Sequence, residues 1–274
     1  RQVLCEEILN NHPSKLIIID NSEYSLFKIL EKLKNKNTEV NIEGRLLDLK
    51  DKHLLDNFFK KNKVDIIYHA AAYKHVGLVE NNVESGIKNN ITGFINLLES
   101  ASSNNVKNII LVSTDKAVSP TTVMGMTKRV CEMVLFNELT KNDSLNFSAV
   151  RFGNVFNSSG SVISIFKRQI QKGKDLTLTD KDVTRYFMSI KEAANLVIKS
   201  STISKGGELF ILDMGEPIKI LDVAKKMIHL SGKTIKSDNN PDGDIAIKIT
   251  GLLPSEKVHE ELSETELSIT ADNK

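Results

Sequence analysis

The chain has 274 residues, a formal net charge of +2, two cysteines and six histidines. Its 37 basic residues are dispersed among 35 acidic ones, so the sequence lacks the clustered basic face that is typical of nucleic-acid binding. Cys5 and Cys131 form no CxxC pair, the histidines lack metal-ligand spacing, and no apolar run is long enough to cross a membrane. We therefore expect a cytoplasmic protein of one domain, or of two closely joined domains, that has no metal site and binds no nucleic acid.

In the first part of the chain, short runs rich in Ile and Val alternate with amphipathic segments of helical length. After a first helix, RQVLCEEIL, four runs predict strands that are buried on both faces: KLIIID (15–20), VDIIYHA (64–70), NIILVST (108–114) and FSAVRF (147–152). Helices are predicted over 22–35, 51–62, 81–104 and 120–140. This alternation predicts an α/β fold with a doubly wound parallel sheet.

From about residue 155 the pattern is looser. The short apolar runs DLTLTD, GELFILD and IAIKIT are mixed with helices predicted near 160–171, 190–203 and 219–230, and SDNNPDGD (237–244) is predicted to be a loop. We predict that this half forms mainly a smaller second lobe, with some segments returning to the sheet.

The residues that follow each predicted strand are the candidate site, because ligands of a doubly wound sheet bind beyond the carboxyl ends of its strands. They are Asp20, the run His69–His75, Thr114–Lys116 and Gly153–Asn157. In HAAAYKHV, three small residues would let a dinucleotide approach the backbone closely. Tight packing of a helix on the sheet would also use small residues.

Asp20 closes the first predicted strand, where an acid commonly holds the adenine-ribose hydroxyls of NAD and repels the extra phosphate of NADP. The alternative is a helix N-cap, a role that Asn21 and Ser22 would suit equally. A GxGxxG motif should precede such an acid by about 20 residues, but no glycine precedes Gly44. We therefore expect the first strand and the glycine loop to be missing from this chain, which would begin inside the helix that the loop opens.

Six blocks of the sequence carry a family resemblance: HAAAYKHV, STDKAVSPTTVMGMTKR, VRFGNVFNSSGSV, VTRYFM, GGELFILDMGEPIKI and ITGLLPSEKVHEEL. In this order they resemble the UDP-N-acetylglucosamine 4,6-dehydratases, in the polysaccharide-biosynthesis branch of the extended short-chain dehydrogenase/reductase superfamily. The resemblance spans about residues 1–262. It implies a Rossmann-type NAD-binding domain over residues 1–154 and a mainly substrate-binding lobe over residues 155–274.

The superfamily places a Tyr-x-x-x-Lys pair on one helix, where a spacing of four puts both side chains on the same face. Lys128 matches the lysine, but Met124 stands in place of the tyrosine and cannot transfer a proton. One subgroup of these dehydratases, mostly membrane-anchored, has methionine at this position and remains active. The resemblance therefore also allows a membrane anchor in a longer parent protein.

The resemblance implies NAD as the cofactor and UDP-N-acetylglucosamine as the substrate. In the family, hydride leaves sugar C4 for NAD, the resulting ketone acidifies the C5 proton, the C6 hydroxyl departs as water, and the hydride returns to C6. Lys116 would be the base at C5, Asp115 the acid that protonates the departing hydroxyl, and Thr114 a hydrogen-bond partner of the C4 oxygen. An acid and an amine at one strand end shift each other's pKa, which makes both roles accessible near neutral pH. A solvated strand end is the alternative.

Further roles carry over from the family by position. The cofactor contacts would be Asp20, Asp48, Leu49, Ala70, Ala71, Asn90 and Lys128, and the substrate contacts Lys74, Asn154 and Arg185. Arg185 suits a diphosphate because its planar guanidinium donates two parallel hydrogen bonds, although it could instead pair with Asp180 or Asp182. The block LLPSEKVHEE carries Leu253 and Ser255 where the commoner family pattern has Arg and Gly, so no phosphate contact is assigned there.

Two other functions compete with dehydration. A 4-epimerase of the same superfamily needs no elimination pair, so the adjacent Asp115 and Lys116 favour the dehydratase. A non-catalytic NAD-binding protein that has lost its tyrosine is the other alternative, and the intact Lys128 argues against it. We expect the protein to form homo-oligomers and to serve the synthesis of surface polysaccharides or of the glycans of glycoproteins.

Overall fold

The computed structural model describes residues 1–36, 39–139, 146–156, 161–253, 255–264 and 270–271. In these ranges the α-helices are α1 (Gln2–Leu9), α2 (Glu23–Lys34), α3 (Lys52–Lys61), α4 (Val76–Glu80), α5 (Val83–Ile87), α6 (Gly93–Ser103), α7 (Val123–Leu139), α8 (Val162–Gln171), α9 (Ile190–Ile203) and α10 (Ile220–Leu230). The strands are β1 (Lys15–Asp20), β2 (Asn41–Leu46), β3 (Ile66–His69), β4 (Asn108–Val112), β5 (Asn146–Arg151), β6 (Asn154–Val155), β7 (Leu176–Leu178), β8 (Thr184–Arg185), β9 (Phe187–Met188), β10 (Leu209–Leu212), β11 (Ile218–Lys219), β12 (Ile247–Ile249) and β13 (Thr270–Ala271).

The main sheet is parallel and is covered by helices on both faces. Its strand order is β13-β10-β5-β4-β3, and β1 and β2 form a separate parallel pair. Ile109 and Leu111 of β4 pack with residues of α3, α6 and α7, whereas Ile110 packs on the other side with residues of α9. Strands buried in this way are apolar along their whole length. The predicted doubly wound parallel α/β fold is confirmed.

The strand β2 is a feature that the sequence analysis missed. Its sequence, NIEGRL, carries two charged residues and Gly44, and all six of its residues are partly or fully exposed. In the described part of the chain it pairs with β1 alone. The glycine allows α2 to pack closely, because a Cβ at Gly44 would lie 2.5 Å from Leu30 Cδ1. A polar strand with one neighbour lacks the apolar run that predicts a buried strand.

Two predicted helices differ from the observed ones. The segment predicted as one helix over 81–104 consists of α5, a π-helical turn (Lys88–Thr92) and α6. The helix predicted from 120 begins at Val123 as α7. Thr122 caps this helix, because its Oγ1 accepts a hydrogen bond from Gly125 N at 3.0 Å.

The second half of the chain divides between a separate apolar cluster and the main sheet. Helices α8 and α10 pack with β7 and β12, which pair in parallel and contain parts of the predicted runs DLTLTD and IAIKIT. The run GELFILD contains β10, which extends the main sheet beside β5. Asn157 of the predicted site lies outside the described residues. The division of function between the two halves stays a prediction.

No helix in the described ranges combines the length and the apolar character that crossing a membrane requires.

Candidate active site

The carboxyl ends of the parallel strands bring the predicted site residues to one edge. Ala70, Thr114 and Phe152 directly or closely follow the adjacent strands β3, β4 and β5. Arg1 connects this edge with the end of β1, because its guanidinium lies 2.7 Å from Asp20 Oδ2 and its Nε donates to Ala70 O at 3.3 Å. The sequence-predicted cofactor and catalytic positions are therefore neighbours in space.

Asp115 is a buried acid whose carboxylate is fixed by several hydrogen bonds. It lies in a 3-10 turn (Asp115–Ala117) after β4 and is 1% exposed. Its Oδ1 accepts hydrogen bonds from Thr114 Oγ1 at 2.7 Å, from Lys116 N at 2.9 Å and from Lys116 Nζ at 3.1 Å. Asp115 N donates to Phe152 O at 3.2 Å, which ties the turn to the end of β5. The acid and the amine, which we call the Asp115–Lys116 pair, are thus in direct contact.

Lys116 faces a second carboxylate that the sequence analysis did not assign. Its Nζ lies 3.3 Å from Glu260 Oε1, as well as 3.1 Å from Asp115 Oδ1. Burial lowers the pKa of Lys116, but the charges of Asp115 and Glu260 outweigh burial, so the pKa is raised above its ordinary value. Without substrate, the amine is therefore held as an ammonium ion, so the expectation that the pair makes the neutral base accessible near neutral pH is wrong for the substrate-free site.

Met124 and Lys128 lie one helical turn apart in α7 and are both buried, with 4% and 5% of their surfaces exposed. No described residue forms a hydrogen bond with Lys128 Nζ. Burial lowers the pKa of Lys128, and the nearby Cys131 and Glu132 oppose this effect. The amine thus has no hydrogen-bond acceptor among the described residues, and the diol of a nicotinamide ribose would supply acceptors. The residues present therefore fit NAD at this position.

Asn90 lies within the π-helical turn and is 1% exposed. Its Oδ1 accepts a hydrogen bond from Tyr73 N at 2.8 Å, and its Nδ2 donates to Tyr73 O at 3.1 Å and to Thr127 Oγ1 at 2.9 Å. The amide therefore fixes the loop after β3 against α7. A direct contact between Asn90 and the cofactor stays a prediction.

The strand β3 ends with a buried histidine. The His69 ring stacks on Phe94, with ring centroids 4.8 Å apart. Burial, assisted by the charge of Lys128, lowers the pKa of His69 to about 3, so this ring is neutral at physiological pH. Ala70 and Ala71 follow it and are half-buried, and burial lowers the pKa of the neighbouring Lys74.

The predicted adenosine-side residues lie at the ends of β1 and β2. Asp20 is 5% exposed and accepts hydrogen bonds from Arg1 and from Ser22 N. Ser22, and not Asp20, is the N-cap of α2, since its hydroxyl accepts from Ser25 N at 3.3 Å. The N-cap alternative for Asp20 is therefore wrong. Asp48 Oδ1 accepts from Lys50 N at 2.9 Å, and the adjacent Leu49 packs against the apolar core.

The predicted substrate residues lie on β6 and β8. Asn154 N donates to Tyr186 O at 3.0 Å. Arg185 donates to Val258 O at 3.0 Å and pairs with Glu256 at 3.3 Å. The suggested pairing of Arg185 with Asp180 or Asp182 is not observed, since its ionic partners come from the segment 255–264, and Asp182 pairs with Lys219.

A buried ionic network beneath the site was not predicted. Glu132 is fully buried and accepts hydrogen bonds from Arg151 Nε at 2.8 Å and from Ser113 Oγ at 2.6 Å. Glu132 comes four residues after Lys128 in α7. Its hydrogen bonds therefore connect this helix with the ends of β4 and β5. The four-residue spacing places Glu132 on the same helical face as Lys128, and this spacing could have predicted from the sequence that Glu132 lies near the site.

The comparisons with known proteins agree with this geometry. Residues 2–273 match the family described as "Polysaccharide biosynthesis protein". The chain belongs to this family. It is 43% identical over 260 residues to the probable polysaccharide biosynthesis protein EpsC of Bacillus subtilis. The aligned region covers 94% of this chain but 42% of EpsC. The chain therefore spans less than half the length of this relative.

Two further relatives have names that describe an activity. A UDP-N-acetylglucosamine 4,6-dehydratase (inverting) of Campylobacter jejuni is 33% identical over 254 residues, covering 92% of the chain and 70% of that protein. A UDP-glucose 4-epimerase of Rickettsia bellii is 35% identical over 184 residues, covering 66% of the chain and 53% of that protein. The resemblance drawn from the sequence motifs is confirmed.

Solved structures share the fold. Pen from Bacillus thuringiensis has a TM-score of 0.84 at 33% identity, with 95% of this chain and 78% of Pen covered. The dTDP-glucose 4,6-dehydratase DesIV of Streptomyces venezuelae, whose structure holds NAD, has a TM-score of 0.80 at 16% identity, with 96% and 84% covered. Both confirm the Rossmann-type α/β fold.

Proposed function

We propose that this protein is a nucleotide-sugar 4,6-dehydratase that uses NAD and converts UDP-N-acetylglucosamine into a UDP-4-keto-6-deoxy-hexosamine for the synthesis of surface polysaccharides or glycoprotein glycans. The Asp115–Lys116 pair carries the proposal, because its acid and amine lie 3.1 Å apart at the strand end that precedes α7. The named Campylobacter relative supports the substrate. The fold shared with DesIV and the unpartnered amine of Lys128 support NAD.

The site replaces the missing tyrosine with a path through Thr114. When bound, NAD would accept the hydride from C4, and its reduced form would give the hydride to C6. The proton of the C4 hydroxyl passes through Thr114 Oγ1, which already donates to Asp115 at 2.7 Å. This transfer leaves Asp115 as a neutral carboxyl group, the form that an acid requires.

The next steps eliminate water from C5 and C6 and return the hydride to C6, and every proton that is taken up is given back. Neutral Lys116 takes the C5 proton, and Asp115 gives its proton to the C6 hydroxyl, which leaves as water. The Lys116 ammonium returns a proton to C5 when hydride reaches C6. Lys128 holds the nicotinamide ribose, and Asp20 holds the adenine ribose. The cycle begins with a neutral Lys116, so the ammonium of the substrate-free site must first lose a proton to solvent.

The alternative is a UDP-sugar 4-epimerase, which the Rickettsia relative favours. An epimerase moves the C4 hydride alone and gives the buried Asp115–Lys116 pair no task. A non-catalytic NAD-binding protein is a weaker alternative, since it would not need the pair either.

Product analysis tests the proposal. The full-length protein, incubated with NAD and UDP-N-acetylglucosamine, is expected to yield a UDP-sugar lighter by one water molecule, as measured by mass spectrometry. The 4-epimer has an unchanged mass and is separated by chromatography. A product of unchanged mass, or unaltered substrate under conditions in which NAD is bound, would contradict dehydration.

An exposed apolar surface supports the proposed homo-oligomer. Met126 and Met133 of α7 are 48% and 60% exposed, and Val83 and Ile87 of the neighbouring helix α5 are 41% and 42% exposed. These exposed apolar side chains lie on two helices that pack together, and exposed apolar surface is often part of a protein interface.

A further inference from the structure

Glu260 lies between the two cationic groups of the site. Its side chain is 7% exposed, and Oε1 lies 3.3 Å from Lys116 Nζ and 3.8 Å from Arg185 Nε. One carboxylate oxygen therefore faces both the proposed base and the proposed diphosphate-binding group. The proposed mechanism gives Glu260 no task.

The backbone around Glu260 is fixed on two sides. Towards the Asp115–Lys116 pair, Thr121 Oγ1 donates to Ser255 O at 2.8 Å and Lys257 Nζ donates to Val118 O at 3.2 Å. On the side of β8, Thr184 N donates to Val258 O at 3.1 Å. These contacts hold the segment that carries Glu260 against both the turn after β4 and the strand β8.

We propose that Glu260 is a positioning residue of the Asp115–Lys116 pair, an inference that rests on the proposed function. Its carboxylate holds the Lys116 amine beside Asp115 and connects it with Arg185. Glu256 offers a natural comparison, because it contacts Arg185 at 3.3 Å and comes from the same segment.

The charge of Glu260 shifts the pKa of Lys116 in a definite direction. The charged groups that face Lys116 are Asp115 in its own turn, Glu260 in the segment 255–264 and Arg185 in β8. The charge of Glu260 raises the pKa of Lys116, so removing this charge lowers that pKa. A single close opposite charge shifts a pKa by about one unit or more. At a given pH below the pKa, Glu260→Gln should therefore contain about tenfold more neutral Lys116 amine.

The pH dependence of kcat/KM tests this inference. Because the cycle begins with neutral Lys116, kcat/KM of the wild type, which reports the ionisation of the free enzyme, should rise with pH up to the pKa of Lys116. In Glu260→Gln this rise should lie about one unit lower in pH, whereas Glu256→Gln should leave it in place. Superimposable profiles for the wild type and Glu260→Gln, or an equal shift in Glu256→Gln, would overturn the inference.

Trace acylation tests the inference without relying on activity. The full-length protein is labelled with a trace of acetic anhydride at pH 8 without substrate, and peptide mass spectrometry compares Lys116 with the exposed Lys172. Labelling of Lys116 is expected to rise about tenfold in Glu260→Gln and less in Glu260→Asp, which keeps the charge. Unchanged labelling, or an equal rise in both variants, would overturn the inference. If the protein made no 4-keto sugar but showed this labelling pattern, the proposed function would be wrong and the contact between Glu260 and Lys116 would still be supported.

Discussion

Asp115→Asn is expected to lower the turnover number by about 10²–10⁴-fold, the usual contribution of a general acid, while NAD stays bound. The amide keeps the shape of the side chain and can still accept the hydrogen bond from Lys116 N. It cannot receive the C4 proton through Thr114 or give a proton to the C6 hydroxyl. Steady-state kinetics with UDP-N-acetylglucosamine measures turnover, and calorimetry measures NAD binding.

Asp182→Asn is the matched control for Asp115→Asn. Asp182 is an exposed residue whose carboxylate pairs with Lys219 at 3.4 Å. This variant should retain wild-type turnover. If Asp115→Asn also retained most of its turnover, Asp115 would have no part in the proton transfers and the mechanism would be wrong.

Gly125→Ala is expected to reduce both stability and activity, although alanine normally stabilises a helix by about 0.5–1 kcal/mol relative to glycine. A Cβ at position 125 would overlap the carbonyl oxygen of Lys116, so α7 and the turn that carries Lys116 must move apart. Overpacking of this kind costs about 1–3 kcal/mol. A displacement of about 1 Å at reacting groups can lower turnover about 10²-fold.

Gly77→Ala provides the matched control for Gly125→Ala, because a Cβ at Gly77 of α4 meets no atom within 4 Å. Its melting temperature and its turnover number should equal or exceed those of the wild type. Thermal unfolding and steady-state kinetics decide the comparison. A stable and active Gly125→Ala protein would show that close packing of α7 against the Lys116 turn is not required.

Features that depend on local pattern were predictable from the sequence. The apolar runs of β1, β3, β4 and β5 locate parallel strands, and parallel strands bring their carboxyl ends to one edge. The expected burial on both faces holds for β4 and β5, whereas β1 and β3 are partly exposed. For this reason the sequence predicts that Thr114–Lys116 and the loop after His69 lie near each other. The four-residue spacing likewise places Met124 and Lys128 on one face of α7.

Features that depend on distant contacts could not be predicted in this way. Glu260 reaches Lys116 only because the segment 255–264 folds back against the turn after β4, and no local spacing relates the two residues. The strand β2 was missed because its polar sequence is stabilised by β1 and α2. The contacts of the Asn90 amide with Tyr73 and Thr127 were also not predicted, and its contact with the cofactor stays a prediction.

Incorporation of deuterium at C5 tests the central claim most directly. The full-length protein with NAD and UDP-N-acetylglucosamine in deuterated water should give a 4-keto-6-deoxy sugar with deuterium at C5, detected by NMR. The label is expected because Lys116 exchanges the abstracted proton with solvent before it returns one to C5. An epimerase moves only the C4 hydride, so its product would keep the C6 hydroxyl and gain no solvent label. Unlabelled 4-epimer as the sole product would contradict the dehydratase function and the roles of Asp115 and Lys116.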